Sequence, residues 1–105
     1  MSINNCVFKG RIKSKRMEST TEGKAICLFT LELMDQEKRS DFVDAVAYST
    51  MAEIINRDFH IGHAIGLICR VHSYKKDGTI KHNFIVEKFD YDREYKRPIS
   101  PSLQE

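Results

Sequence analysis

The hydrophobic period of this chain is interrupted once, and that interruption limits the folds open to it. Strand-type residues dominate Ile3–Arg16, Ala25–Met34 and Phe42–Tyr48, separated by turn-forming segments. At Ser49-Thr50-Met51-Ala52-Glu53 the period changes. Met51, Ile54 and Ile55 follow helical spacing, Ser49 or Thr50 can cap, and Glu53 lies at capping-box distance from Thr50. Gly62 marks a stop, so one helix is predicted from about Thr50 to Arg57 or Phe59. Strand character returns over Ala64–Tyr74 and Thr79–Tyr91, joined by a Lys75-Lys76-Asp77-Gly78 hairpin turn.

Details within the runs carry further expectations. Gly10 is a natural site for a bend or bulge in a long first strand. Met17–Lys24 reads as a turn hinged at Gly23, and Asp35–Asp41 as a short charged loop. Ala25–Met34 is nearly all apolar, which predicts a central strand covered on both faces. Three strands, a short helix and two strands fit an all-β fold: a five-stranded OB barrel with the helix between strands 3 and 4 plugging one end. Another small barrel or an open α+β sheet is the alternative. Residues 1–91 are assigned to this domain. Residues 92–105, with Pro98 and Pro101, are expected to form a short mobile tail.

At 105 residues, 41% hydrophobic and 30% charged, the chain suits one globular domain. It has no apolar run long enough to span a bilayer and no signal segment at its start, so a cytoplasmic, non-membrane protein is expected. Cys6, Cys27 and Cys69 lack CxxC spacing and sit among apolar neighbours, which predicts buried free thiols. Net charge is only +2, so a polyanion site must come from charge placement.

That placement is visible in the first strand, where Lys9, Arg11, Lys13 and Lys15 fall at every second position and Phe8, Gly10 and Ile12 alternate with them. Alternation puts such cations on one face, spaced by about 7 Å, which suits a polyanion; a plain solvated face is the other reading.

The ordered pieces also resemble a family. Asn4-Asn5-Cys6-Val7-Phe8-Lys9-Gly10-Arg11 resembles the opening strand of bacterial and phage single-stranded DNA-binding proteins. Gly23-Lys24-Ala25-Ile26-Cys27-Leu28-Phe29-Thr30-Leu31 resembles that family's Gly-x-x-x-x-x-Phe-x-Leu second strand. Asp41–Tyr48 followed by Met51-Ala52-Glu53-Ile54 is similar to its third strand and helix, and Gly62 with Ile65–Val71 to its passage into strand four. The chain departs from the family in its short Asp35–Asp41 loop, its short hairpin after the fourth strand and its lack of tryptophan. It also ends in Ser-Leu-Gln-Glu instead of an acidic recruiting tip. The resemblance thus implies a minimal, phage- or mobile-element-type member or a primosome-type relative, and the missing acidic tip puts recruitment of replication proteins in doubt.

Sequence-tolerant binding of a single strand needs cations for phosphates and flat rings for bases. The candidate cations are Lys9, Arg11, Lys13, Lys15, Arg16, Lys24, Arg70, Lys75, Lys76 and Lys81. The candidate rings are Phe42, Tyr48, Tyr74 and Phe84, and the family places stacking aromatics where Phe42 and Tyr48 stand. Phe42 and Tyr48, six residues apart, share a face with Asp44 and Val46. Tyr74 is in phase with Arg70 and His72, while Phe8, Phe29 and Phe59 go to the core. His60 and His63 could pair on a metal, but no third ligand stands at a fitting offset. No catalytic motif, cofactor site or metal site is expected.

The expected function is non-catalytic coating of single-stranded DNA with little sequence preference, in replication, recombination or repair. The resemblance implies a homodimer or homotetramer, for which Ile68 on the fourth strand is a candidate contact. A primosome-type protein docking on a helicase or loader, an interaction-only OB subunit and an RNA binder are the alternatives.

Overall fold

A computed structural model describes residues 3–34 and 39–91. The elements run β1 (Cys6–Ser19), β2 (Ala25–Met34), β3 (Ser40–Tyr48), α1 (Ser49–Asp58), β4 (Ala64–Lys76) and β5 (Thr79–Tyr91). The strands close into a barrel in the order β1-β2-β3-β5-β4. All neighbours are antiparallel except β3 and β5, which meet in parallel at Ala45–Phe84 and Val46–Ile85. The expected all-β barrel with one helix between strands 3 and 4 is what forms. The expected tail, 92–105, lies outside the described residues, as do 35–38 of the expected loop.

One long strand holds the barrel shut. Cys6–Arg11 of β1 pair with β4, and Arg11–Ser19 pair with β2. The register steps between Ile12 and Ser14, so Lys13 is an extra residue. The bulge therefore lies at Lys13, not at Gly10 as the sequence suggested. Gly10 serves a different purpose. A Cβ there would run into the backbone carbonyl of Glu32 and crowd Leu33. Its missing side chain lets β2 cross β1 closely.

The interior is apolar. Ile12, Leu31, Ile55, Phe59, Ile65 and Leu67 are fully buried, and each such side chain contributes about 1.5–3 kcal/mol. Phe29 is buried, while Phe8 is half-buried and packs edge-on against Phe84 with ring centroids 5.2 Å apart. Phe84, one of the candidate rings, is thereby committed to the edge of the core. Phe89 meets Phe59 in the same way at 5.6 Å. Cys27 and Cys69 are buried free thiols and Cys6 is half-buried. Burial raises the Cys27 pKa, and burial followed by nearby Cys6 and Glu87 raises that of Cys69 to about 11. Both are inert core groups at neutral pH.

Two local expectations are corrected. β2 is not covered on both faces: Cys27, Phe29 and Leu31 are buried, but Ile26, Leu28, Thr30 and Glu32 are half-exposed on the outside. A closed barrel has a single interior, so the alternate apolar residues stay at the surface. The capping box is also absent. α1 starts directly at the end of β3, with extended Tyr48 at the N-cap, no side-chain cap, and Ser49 in the left-handed region at φ 56°. Thr50 is thereby drawn inside the first turn. The helix buries Ala52 and Ile55 against β2 and β3. It is the single helix described and is not long and apolar enough to cross a membrane.

The β4–β5 turn matches its sequence. Asp77 and Gly78 both have positive φ, 54° and 77°, which is the type I′ geometry of an Asp-Gly hairpin.

Gly10→Ala is expected to lower stability by about 1–3 kcal/mol in denaturant unfolding, because the barrel must shift to admit one methyl group. An unchanged midpoint would mean that the β1–β2 crossing is loose.

Candidate nucleic-acid interface

Register converts alternation into rows around the barrel. Outside the bulge, Arg16 pairs with Leu28, Leu28 with Val46, Val46 with Ile85 and Ile85 with Arg70. These five residues form one outward row across every strand, apolar in the middle with a guanidinium at each end. Val46 is buried although it points outward, because Leu28 and Ile85 flank it. With strands about 4.8 Å apart, the row follows a curved path of roughly 19 Å around the barrel.

The aromatic candidates stand beside this row. Phe42, Asp44, Val46 and Tyr48 share the outer face of β3, as their spacing predicted. Phe42 is 56% exposed and Tyr48 43%. An exposed ring at a strand position that packs no core is available for stacking. Phe42 lies in line with Glu32 and Arg11, and Tyr48 in line with Ile26 and Glu18. Between them a hollow of about 430 Å³ opens, lined by Ser14, Arg16, Leu28, Thr30, Asp44 and Asn83 among others.

The β4–β5 ribbon continues the surface. Arg70, His72 and Tyr74 point to one side, opposite Ile85, Asn83 and Lys81 respectively. Every residue from His72 to His82 is exposed, so the ribbon projects beyond the barrel. Tyr74 is 39% exposed and faces Lys81 directly. Lys76 falls on the Tyr74 side, whereas Lys75 and Ile80 fall on the other. Asn83 is common to the hollow and to the cross-strand pair with His72, which joins ribbon and barrel.

The four-cation row predicted for β1 does not survive the bulge. Lys9 and Arg11 point outward, and Lys13 reaches Glu32 at 4.0 Å. Past the extra residue the phase inverts. Lys15 pairs with inward-facing Phe29, and its ammonium donates to the carbonyls of Asn56 at 2.9 Å and Phe59 at 2.8 Å. Its charge sits against the C-terminal end of α1, where the helix dipole favours a cation. Lys15 therefore leaves the candidate set, and Arg16 takes the outward place. Arg16 pairs with Glu18 at 2.9 Å and Arg70 with Glu87 at 3.7 Å, exposed pairs that compete weakly with another anion.

The candidate residues thus divide. Arg11, Lys13, Phe42, Tyr48 and Arg70 border one barrel surface; His72, Tyr74, Lys76 and Lys81 lie on the adjoining ribbon face. Lys9 stands apart beside Gly66, near the exposed Val7 and the half-exposed Ile68. Leu28, Ile85 and Asn83 had no signal of their own in the sequence; only the register brings them to the surface. His60 and His63 associate with each other, the His60 backbone N–H donating to His63 Nδ1 at 3.2 Å. Among the described residues no group of three or more potential metal ligands exists.

This is an OB barrel, and its fold is that of known single-stranded DNA-binding domains. Over 87% of this chain and 98% of the other, it superposes on the SSB domain of a Synechococcus sp. protein with a TM-score of 0.70 at 8% identity. A deletion mutant of the single-stranded DNA binding protein from Thermus aquaticus gives a TM-score of 0.74 at 17% identity. That match covers 93% of this chain but only 45% of the Thermus protein. No family model and no curated protein matches the sequence. At these identities the likeness is one of fold.

Lys15→Met is expected to lower stability by about 1–2 kcal/mol, since it deletes a charged donor to two helix-terminal carbonyls. Chemical denaturation measures this; a loss within error would make those contacts incidental.

Proposed function

We propose that this protein binds single-stranded DNA without catalysis, stacking bases on exposed rings and neutralising phosphates with flanking cations. The observation that carries the reading is the outer surface itself. An apolar row ends in Arg16 and Arg70, with Phe42 and Tyr48 exposed beside it and Tyr74 on the adjoining ribbon. Stacking accepts every base, because each has a π-face, so sequence preference is small. The same fold in proteins named for single-stranded DNA binding supports this assignment.

Rings and cations divide the work. Phe42, Tyr48 and Tyr74 hold bases; Arg11, Lys13, Arg16, Arg70, Lys76 and Lys81 follow the backbone, with His72 beside them. Lys9 and Lys75 contribute at longer range. One barrel covers few nucleotides, so self-association into a dimer or tetramer extends the site. Coating of this kind serves replication, recombination or repair in the cytoplasm.

Fluorescence anisotropy of a labelled poly-thymidine oligonucleotide, against a duplex of matched length, tests the function. The label belongs on the DNA because the chain has no tryptophan. Binding to the single strand that exceeds binding to duplex and weakens with salt is the expected result. Absence of binding at low salt would overturn the proposal and turn the search to protein partners.

Two variants locate the site. Tyr74→Ala is expected to weaken binding by about 1–3 kcal/mol with the unfolding midpoint unchanged. Unchanged affinity removes the ribbon from the path. The double variant Arg16→Gln and Arg70→Gln is expected to flatten the logarithmic salt slope by about 1.4, two single-strand phosphate contacts. Lys15→Met should retain the wild-type slope, since its ammonium is committed to the helix.

A further inference from the structure

In the middle of the proposed DNA-binding face stands a carboxylate that makes no ion pair with any cation among the described residues. Four acidic side chains point outward on this face; Glu18 and Glu87 pair with Arg16 and Arg70, and the other two differ. Glu32 accepts the Ser40 hydroxyl at 2.8 Å and meets the Lys13 ammonium at 4.0 Å. Asp44 accepts the Thr30 hydroxyl, on Oδ1 at 2.8 Å, and among the described residues no cation lies within ion-pair distance of it. A surface that only tracked phosphates would gain nothing from that charge, which repels them. The place becomes favourable if the carboxylate meets N–H donors, and a single strand carries those on the edges of its bases.

Resting on the proposed DNA binding, we infer that Asp44 and the hollow beside it form a guanine subsite. The choice among bases follows from the pattern of donors. A carboxylate takes two parallel N–H bonds side by side. Guanine presents N1–H and an N2 amino hydrogen next to each other on its Watson–Crick edge. Adenine and cytosine each set an amino group beside a ring-nitrogen acceptor, which the carboxylate repels. Thymine has one N–H between two carbonyls.

The surroundings fit this occupant. Thr30 is the direct cross-strand partner of Asp44, so its hydrogen bond fixes the carboxylate from the neighbouring strand. Phe42 is two residues away on the same face, about 7 Å along the strand. Half the width of a purine stacked on that ring, plus a hydrogen bond of about 2.9 Å, covers the distance. Guanine O6 follows N1 on the same edge and needs a donor; the Asn83 amide lines the same hollow. The volume of about 430 Å³ is within the range of roughly 300–1,000 Å³ that small-molecule sites occupy. The subsite would lay a preference for one base over an otherwise tolerant surface.

The test uses the full chain and thymidine oligonucleotides that carry one central substitution. Deoxyguanosine is expected to tighten binding about tenfold over the all-thymidine strand, the effect of one good bidentate pair. Deoxyinosine, which keeps N1–H and O6 but lacks the 2-amino group, should lose most of that gain; deoxyadenosine and deoxycytidine should show none. Asp44→Asn keeps an acceptor for Thr30 but turns the second oxygen into a donor, and should bring the guanosine-to-thymidine ratio to near one. If the all-thymidine strand binds and guanosine binds no better than inosine, the subsite is overturned and the DNA-binding reading stands. If no oligonucleotide binds, both fall. The inosine comparison uses the wild-type protein, so the conclusion survives an Asp44 variant that misfolds.

Discussion

The extra residue at Lys13 sets the relation between the core of this barrel and its surface. A strand that pairs with β4 over its first half and β2 over its second must turn a corner, and an inserted residue bends a strand and strengthens its twist. The insertion also inverts the side-chain phase. Before it Phe8, Gly10 and Ile12 face in; after it Lys15 and Met17 do. Closure of the barrel, seating of the helix and the identity of the outward cations all follow from this one step. Lys15 becomes the group that holds the C-terminal end of α1, and Arg16 becomes the end of the row that crosses the barrel.

That dependence explains which parts of the fold were legible. Strand order, the helix position, the bounds of β2 and β5 and the Asp77-Gly78 turn all follow from local periodicity and turn chemistry. The bulge does not, because Lys13-Ser14-Lys15-Arg16 is polar throughout and the alternation simply stops carrying phase information there. Gly10 looked like the bend because glycine permits one, but its role is a close backbone approach that only the fold reveals. In β2, a nearly unbroken apolar run reads as doubly buried, yet Ile26 and Leu28 are surface residues that pack sideways along the barrel.

The candidate site was partly legible for the same reason. Same-face groupings within one strand, Phe42 with Tyr48 and Arg70 with His72 and Tyr74, need only a period of two. Groupings across strands need register. Nothing local in the sequence aligns Leu28, Val46 and Ile85, and nothing marks Asn83 as a neighbour of Asp44. Those alignments turn scattered residues into a surface with an apolar centre and charged ends.

The two parts of that surface differ in support. The barrel face rests on a packed core, which supports the backbone that carries Phe42 and Tyr48. The ribbon from His72 to His82 has no buried residue and is held by its own ladder and turn. A two-stranded ribbon without a hydrophobic face is marginally stable alone. In the proposed binding, ordering it against DNA would subtract from what Tyr74 gains by stacking, while the barrel rings would incur less of that loss. The short, type I′ turn reduces this penalty, since a tight Asp-Gly hairpin has few alternative conformations to surrender. The length of the hairpin thus bears directly on how much binding energy an exposed arm can deliver.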